Sequence, residues 1–368
     1  MRALWAIAAL AAVTATTGCK KDKKKAEPAG DTPAGGTATT DSPATDAPPA
    51  TDKPAADPAL VERGKYLADV AGCMFCHTPF GPTGAPDMNK AWAGGLEVPE
   101  KFGTWRSPNI TPDPETGIGK WTDEQIIGAV REGKRADGSH IKPIMPYLFY
   151  NVMSDADGKA LVAFLRTVPA VANKVERATD LKLPDIPAPK PAGKPPGDDP
   201  VARGAYFTSL MHCVMCHTPP GKNGMPDMSK AFAGGFPMEL PLMGEGVLYS
   251  SNITPDKKTG IGSWSDEQIA IALREMKKKD GKPIMGPMAL YQTGWYRLED
   301  EDVKGIVAFL RSVKPINNKV AKSTFKPKAG GPPPTAGEPP KAGGEPPKAG
   351  GQPAKAGGQP EPDDEPTE

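Results

Sequence analysis

Residues 63–95, RGKYLADVAGCMFCHTPFGPTGAPDMNKAWAGG, lie over residues 203–235, RGAYFTSLMHCVMCHTPPGKNGMPDMSKAFAGG, without a gap. The match resumes at NITPDPETGIGKWTDEQI (109–126) and NITPDKKTGIGSWSDEQI (252–269), after three extra residues in the second copy. It closes at ALVAFLRTV (160–168) and GIVAFLRSV (305–313). A repeat of this kind is one supersecondary unit used twice, so whatever the first copy folds into, the second folds into as well.

What surrounds the copies cannot bury a core. Glycine (41) and proline (45) concentrate in residues 20–57, in 176–199, and from 325 onward, where PPKAGG at 339–344 recurs at 346–351. Segments so poor in large apolar side chains do not offset the entropy of ordering, and read as a disordered tether, a Pro-rich linker and a low-complexity tail. Two domains remain, 58–175 and 200–324, each of roughly 120 residues and ordinary in size. A net charge of +1 gives no sign of nucleic-acid binding.

The N-terminus reads as an address. Arg2 precedes an apolar run, Ala3–Val13, too short to span a bilayer, and TTGC ends at Cys19. Small residues before a cysteine at this distance resemble a bacterial lipoprotein signal spanning 1–19, which makes Cys19 the lipidated residue of an exported, membrane-anchored chain. Thr16 departs from the usual leucine, so ordinary signal-peptidase cleavage stays open. The cluster Lys20, Lys21, Lys23, Lys24, Lys25 meets anionic headgroups or simply starts a solvated tether.

Each copy reads as mainly α. Thr122–Gln125 and Ser265–Gln268 are capping boxes with acids in the first turn. The helices they start put Ile126 and Val130, or Ile269 and Leu273, on an inner face; the last helices do so with Leu161, Leu165 and Val168, or Ile306, Leu310 and Val313. An opening helix runs from about Leu60 or Val201 into the cysteines. Three short helices with so much loop make a thin core.

CMFCH (73–77) and CVMCH (213–217) use four of the five cysteines and two of the four histidines. Cys-x-x-Cys-His is the signature of covalent haem attachment. Cysteines three apart share one face of a helical turn, so Cys73 and Cys76, or Cys213 and Cys216, can each add to one vinyl group. His77 or His217 then faces the iron, and the macrocycle supplies the apolar body such small domains lack. The alternatives are weaker. A single zinc ion held by both pairs ignores that each copy is complete, and a disulfide redox site ignores the histidines.

The sixth ligand is expected to be methionine. Met145, flanked by prolines in PIMPY, is the candidate in the first repeat, ahead of His140. In KPIMGPMALY the shared letters favour Met285, but Arg131 to Met145 spans the same 14 residues as Arg274 to Met288, so Met288 is the expectation. His140, opposite Pro283, and His212, opposite Gly72, read as ordinary surface histidines. Met74, Met88, Met215 and Met228 read as core filler or haem-edge contacts. Pro86 and Pro226 are candidate carbonyl acceptors for the axial histidines. Trp121 and Trp264 either wall the haem or pack, Trp92 and Phe232 pack, and Arg106 is a candidate propionate partner that Tyr249 replaces. The lysines at 277–279 end a helix or dock an acidic partner.

CHTP, NITPD…TGIG, a Pro-flanked methionine and the closing LVAFLR-type helix together resemble the tandem class I cytochrome c subunits of bacterial membrane alcohol, aldehyde and gluconate dehydrogenases. Such subunits typically carry three haem units where this chain has two. The resemblance implies two cytochrome c-like three-helix domains and two covalently bound haem c groups. It implies one-electron transfer between periplasmic or membrane redox partners: a dehydrogenase subunit, another cytochrome or a terminal oxidase. The alternative is a dihaem peroxidase-like enzyme with one open haem site.

Overall fold

A computed structural model of the chain describes residues 57–81, 86–222, 226–241 and 243–328. All of them lie in one compact unit, Pro54–Glu368. The export signal with Cys19, nearly all of the tether and the tail beyond 328 lie outside the described residues.

Each repeat opens on an Asp-Pro pair. Asp57 caps α1 (Pro58–Ala71) by accepting from Ala59 N at 3.0 Å; Asp199 caps α6 (Pro200–Leu210) by accepting from Val201 N at 3.1 Å. Proline at the first helical position has no N–H to leave unpaired. The cysteine motifs form single turns, α2 (Cys73–Cys76) and α7 (Cys213–Cys216). The two expected capping boxes are present and start α3 (Asp123–Glu132) and α8 (Asp266–Arg274). A further element precedes each closing helix: α4 (Tyr147–Tyr150) ahead of α5 (Asp155–Leu165), and the longer α9 (Pro287–Trp295) ahead of α10 (Asp300–Ser312).

The opening and closing helices of each repeat cross with their backbones touching. A Cβ on Gly64 would lie 1.9 Å from the Ala160 carbonyl oxygen, and one on Gly204 would lie 1.9 Å from that of Gly305. The expected inner faces are buried there: Leu161 and Leu165 of the first repeat and Ile306 and Leu310 of the second share one continuous core with Leu67 and Leu210 of the opening helices.

The chain also contains short antiparallel ladders that the sequence pattern had not indicated. β1 (Glu97–Glu100) pairs with β2 (Gly103–Arg106), and β3 (Pro237–Glu239) with β5 (Val247–Tyr249); β4 (Gly244–Glu245) pairs with β6 (Lys326–Pro327). Two to four residues a strand are too few for alternation to register.

The NITPD and FLR letters prove to be architectural. Asn109 Nδ2 donates to Thr116 Oγ1 (3.0 Å) and to the Val171 carbonyl (2.7 Å), and Asn252 repeats this with Thr259 (3.0 Å) and Ile316 (2.8 Å). Arg166 donates to the carbonyls of Ile118 and Trp121 and pairs with Asp123; Arg311 does the same with Ile261, Trp264 and Asp266. Each knot ties the chain after the closing helix to the loop before the capping box.

Residues 176–199 are not a free linker. Lacking helix or strand, they lie as a strap along the first repeat. Lys142 Nζ donates to the Leu183 carbonyl (2.9 Å), Tyr147 OH to Ile186 (2.5 Å) and Asn151 Nδ2 to Pro189 (2.8 Å). Composition shows that a proline-rich stretch cannot form its own core; it does not show that its unpaired carbonyls find donors elsewhere.

The repeats join by a reciprocal exchange. Arg63 holds Asp157 within the first repeat through two bonds of 2.9 and 3.1 Å, and Tyr206 of the second repeat donates to that same carboxylate at 2.5 Å. Arg203 holds Asp302 within the second repeat at 2.5 Å, and Tyr66 of the first donates to it. The backbone N–H groups of Ser154 (3.1 Å) and Glu299 (3.3 Å) donate to these tyrosine oxygens in turn. Each repeat thereby completes the N-terminus of the other's closing helix.

Candidate functional site

The turn α2 begins after Gly72, whose φ of 69° is left-handed, and α7 begins after His212, at 43°. That kink ends α1 or α6 and lets a new turn start at the first cysteine. His77 N donates to Cys73 O (3.0 Å) and His217 N to Cys213 O (2.9 Å), which fixes both histidines at the end of their turns. Thr78 and Thr218, the T of CHTP, are fully buried and accept from the backbone N–H groups of Trp92 (3.1 Å) and Phe232 (3.2 Å).

Both imidazoles are buried, His77 at 7% and His217 at 8% exposure. Nδ1 of His77 stands 2.9 Å from the Pro108 carbonyl and Nδ1 of His217 stands 2.7 Å from that of Ser251. A carbonyl only accepts, so Nδ1 carries the proton and Nε2 keeps its lone pair. Burial lowers both pKa values, which favours the neutral rings, and outweighs the opposing pull of these hydrogen bonds. The expected acceptors, Pro86 and Pro226, are wrong: they form isolated bridges with Phe80 and Pro220. The true acceptors directly precede the NITPD motif, and since any residue supplies a carbonyl, no side-chain letter marked them.

The four cysteines are free and partly buried. Burial pushes Cys73 and Cys213 up to about 12 and Cys76 and Cys216 up to about 11. These are neutral thiols, without the electropositive surroundings of a nucleophilic or redox cysteine. Among the described residues no three His, Cys, Asp or Glu side chains converge as a metal cluster, so the pairs do not meet around a shared zinc. The site's donors fit a haem: two sulfurs on one turn, one neutral imidazole with a free lone pair, and an apolar surround.

The cytochrome c family model matches residues 61–169 and again 201–314. The chain belongs to the cytochrome c family. Its two domains are tandem cytochrome c domains, a mostly helical fold whose members carry covalently attached haem c. The chain is 33% identical over 293 residues to the cytochrome c subunit of the quinone alcohol dehydrogenase of Gluconacetobacter polyoxogenes, covering 74% of this chain and 59% of that protein. It is 32% identical to the gluconate 2-dehydrogenase cytochrome c subunit of Pantoea cypripedii, over 69% of this chain and 60% of that one. It is 33% identical to a diheme cytochrome c-type protein of Cereibacter sphaeroides, over 69% of this chain and 86% of that protein. The chain thus spans about three-fifths of the length of these two dehydrogenase subunits.

In the two cytochrome c domains, the methionine candidates follow matched hairpins. Lys134 bridges His140, and Lys277 bridges Pro283. Met145 and Met288 each stand five residues past that bridge and each pack against the core, whereas Met285 stands two past it, in the register of Lys142. Trp92 and Phe232 pack edge-on to Phe164 (5.4 Å) and Phe309 (5.7 Å), and Trp121 and Trp264 lie against the core.

Other expectations change. Arg106 pairs across its hairpin with Glu97 at 2.6 Å. Met88 and Met228 are 60% and 49% exposed and fill no core, because each sits on a one-turn 3-10 helix at the surface. Lys277 pairs with Glu275 at 2.8 Å and Lys279 donates to the Ser263 carbonyl. His212 is partly buried between Tyr150 and Tyr291, with ring centroids 6.2 and 5.8 Å away, rather than lying on the surface. Burial brings its pKa down to about 4, against the pull of a hydrogen bond to the Ala71 carbonyl. Only the pairing of the repeats explains this, and one sequence does not reveal which faces meet.

Proposed function

We propose that the chain is an exported dihaem electron carrier, each domain holding one haem c. Cys73 and Cys76, and Cys213 and Cys216, form the thioethers; His77 and Met145, and His217 and Met288, are the axial pairs. The domains take residues 58–175 and 200–324. Cys19 anchors the mature chain to a membrane on the periplasmic side, and tether 20–57 gives it reach at raised effective concentration. The partners are a dehydrogenase, as the names of the relatives indicate for those proteins, and a further cytochrome or oxidase.

The observation that carries this reading is the state of the two histidines: buried, neutral and oriented through Nδ1, each one residue beyond a pair of unbridged thiols. Haem c, when bound, supplies the one-electron iron couple. The chain's own part is to fix the imidazoles through the Pro108 and Ser251 carbonyls, to exclude water with Thr78, Thr218 and their buried neighbours, and to offer thioether sulfur from Met145 and Met288. A histidine–methionine pair raises the potential and closes the iron to outside ligands.

Expression in a host competent for cytochrome maturation tests it. The intact mass should include two haems, and the double variants Cys73→Ala/Cys76→Ala and Cys213→Ala/Cys216→Ala should each lose one. Met288→Ala should open one iron to cyanide while Met285→Ala leaves it closed. A colourless product, or cyanide binding by the unaltered protein, would refute the reading.

A further inference from the structure

The two cysteine turns border one set of rings. A Cβ on Gly72 would lie 2.1 Å from Tyr291 Cε1, so the ring of a second-repeat tyrosine occupies the place beside the residue that precedes Cys73. The same ring lies 5.4 Å from Phe75, which stands between Cys73 and Cys76, and 5.8 Å from His212, which precedes Cys213. It stacks on Trp295 at 4.9 Å and 20°, and Trp295 donates Nε1–H to the Val70 carbonyl at 3.0 Å, fastening α9 to the end of α1. Gly294, on the same helix, lies against the Asp69 carbonyl so closely that a Cβ there would come within 2.5 Å. The ring is therefore held from both sides.

The hydroxyl of Tyr291 has no hydrogen-bond partner among the described residues, although the tyrosines at the reciprocal exchange, Tyr66 and Tyr206, are both paired. Burial raises its pKa well above the ordinary phenol value, so the phenol stays protonated. Its ring thus borders the cysteine turns of both repeats, through Phe75 and Gly72 on one side and His212 on the other. Tyr150, on the matching element of the first repeat, is already committed, donating to the Ala71 carbonyl at 3.0 Å.

We propose that Tyr291 is a positioning residue shared by the two attachment turns, so that one side chain from the second repeat sets the polarity around the groups held by both. The inference rests on the haem reading above. It makes the electrostatic surroundings of the two sites a joint property. A hydroxyl dipole beside a site that changes charge favours its more charged form, and exchanging the hydroxyl for hydrogen leaves the surroundings more apolar.

The test is a redox titration of the purified two-haem protein and its Tyr291→Phe variant, which keeps the ring and its packing. Both midpoint potentials are expected to rise. A shift in only one, or in neither, overturns the proposal. Tyr66→Phe provides the structural comparison: it loosens the junction at Asp302 without touching either turn. If it shifts both potentials as much as Tyr291→Phe does, Tyr291 acts only by holding the repeats together and the proposal fails. Should Tyr291→Phe fold poorly, Tyr291→Leu must likewise alter both waves. Haem content is measured first: missing haem refutes the functional reading, whereas unmoved potentials with two haems attached refute this inference alone.

Discussion

Met145 and Met288 occupy one register and are supported in unlike ways. Met145 lies in a turn, its N–H donating to the Lys142 carbonyl at 3.1 Å, and the strap of residues 183–189 braces that turn through Lys142, Tyr147 and Asn151. Met288 lies in the first turn of α9, a helix that runs on to Trp295 and docks on the first repeat. The spacing from Arg131 to Asp155 is 24 residues and from Arg274 to Asp300 is 26, yet both arginines reach the first residue of their closing helix, at 2.6 and 2.7 Å. The two added residues lengthen the helix. Both copies keep the methionine in one register while the support behind it differs: the first is braced by the strap, and the second stands on a helix that docks on the first repeat.

The junction is the place to test how equal the halves are. Asp302 is fully buried and serves both Arg203 and Tyr66; Asp157 is 8% exposed and serves Arg63 and Tyr206. Removing one partner of a buried charged network leaves the rest unpaired, at about 4 kcal/mol for Asp302→Ala and about 3 kcal/mol for Asp157→Ala. Urea unfolding of the two variants measures both. Equal losses would make the junction symmetric in energy as well as in pattern. A loss confined to one domain's transition would show that the repeats unfold separately.

A smaller difference separates Gly72 from His212. The pKa of His212 falls from 6.5 to about 4 on folding, so the unfolded chain binds a proton the folded chain refuses. The stability this neutral ring allows is fully present above pH 6.5 and is lost as pH falls toward 4. By pH 5 the loss is about 2 kcal/mol. His212→Gln should flatten that part of the stability curve and leave the region above pH 7 unchanged. An unaltered slope would assign the acid sensitivity to other groups.

Much of this molecule could be read in one pass along the chain, for a physical reason. The capping boxes at Thr122 and Ser265, the inner faces of Leu161 and Ile306, and the cysteine turns are local patterns whose period or spacing is set by helix geometry. What escaped notice is carried by the backbone or by the second repeat. The carbonyls of Pro108 and Ser251 have no letter, and the strap's carbonyls have none either. Tyr66, Tyr206 and Tyr291 gain their roles from a partner in the other repeat, 49 residues away or more in the chain, and a single sequence has no term for that contact. The NITPD letters, read as part of the family resemblance, carry the knot directly after the carbonyls that hold the histidines.

The smallest effect separates the two methionine supports most directly. Tyr147 is buried beneath the turn, with its ring against Gly133, and its hydroxyl reaches the Ile186 carbonyl at the strap. Tyr147→Phe keeps that packing and removes one hydrogen bond, whose carbonyl can turn to water, so the global loss should be about 1 kcal/mol. The local consequence is one-sided. Amide exchange at residues 141–147 and along 183–189 should quicken, while residues 284–291 keep their protection, because the strap's hydrogen bonds from Lys142, Tyr147 and Asn151 all lie in the first repeat. Quickening in both loops would mean that the junction transmits the strap's hold across to the second repeat. Quickening in neither would mean that Lys142 and Asn151 suffice, and that the tyrosine hydroxyl is incidental to the brace.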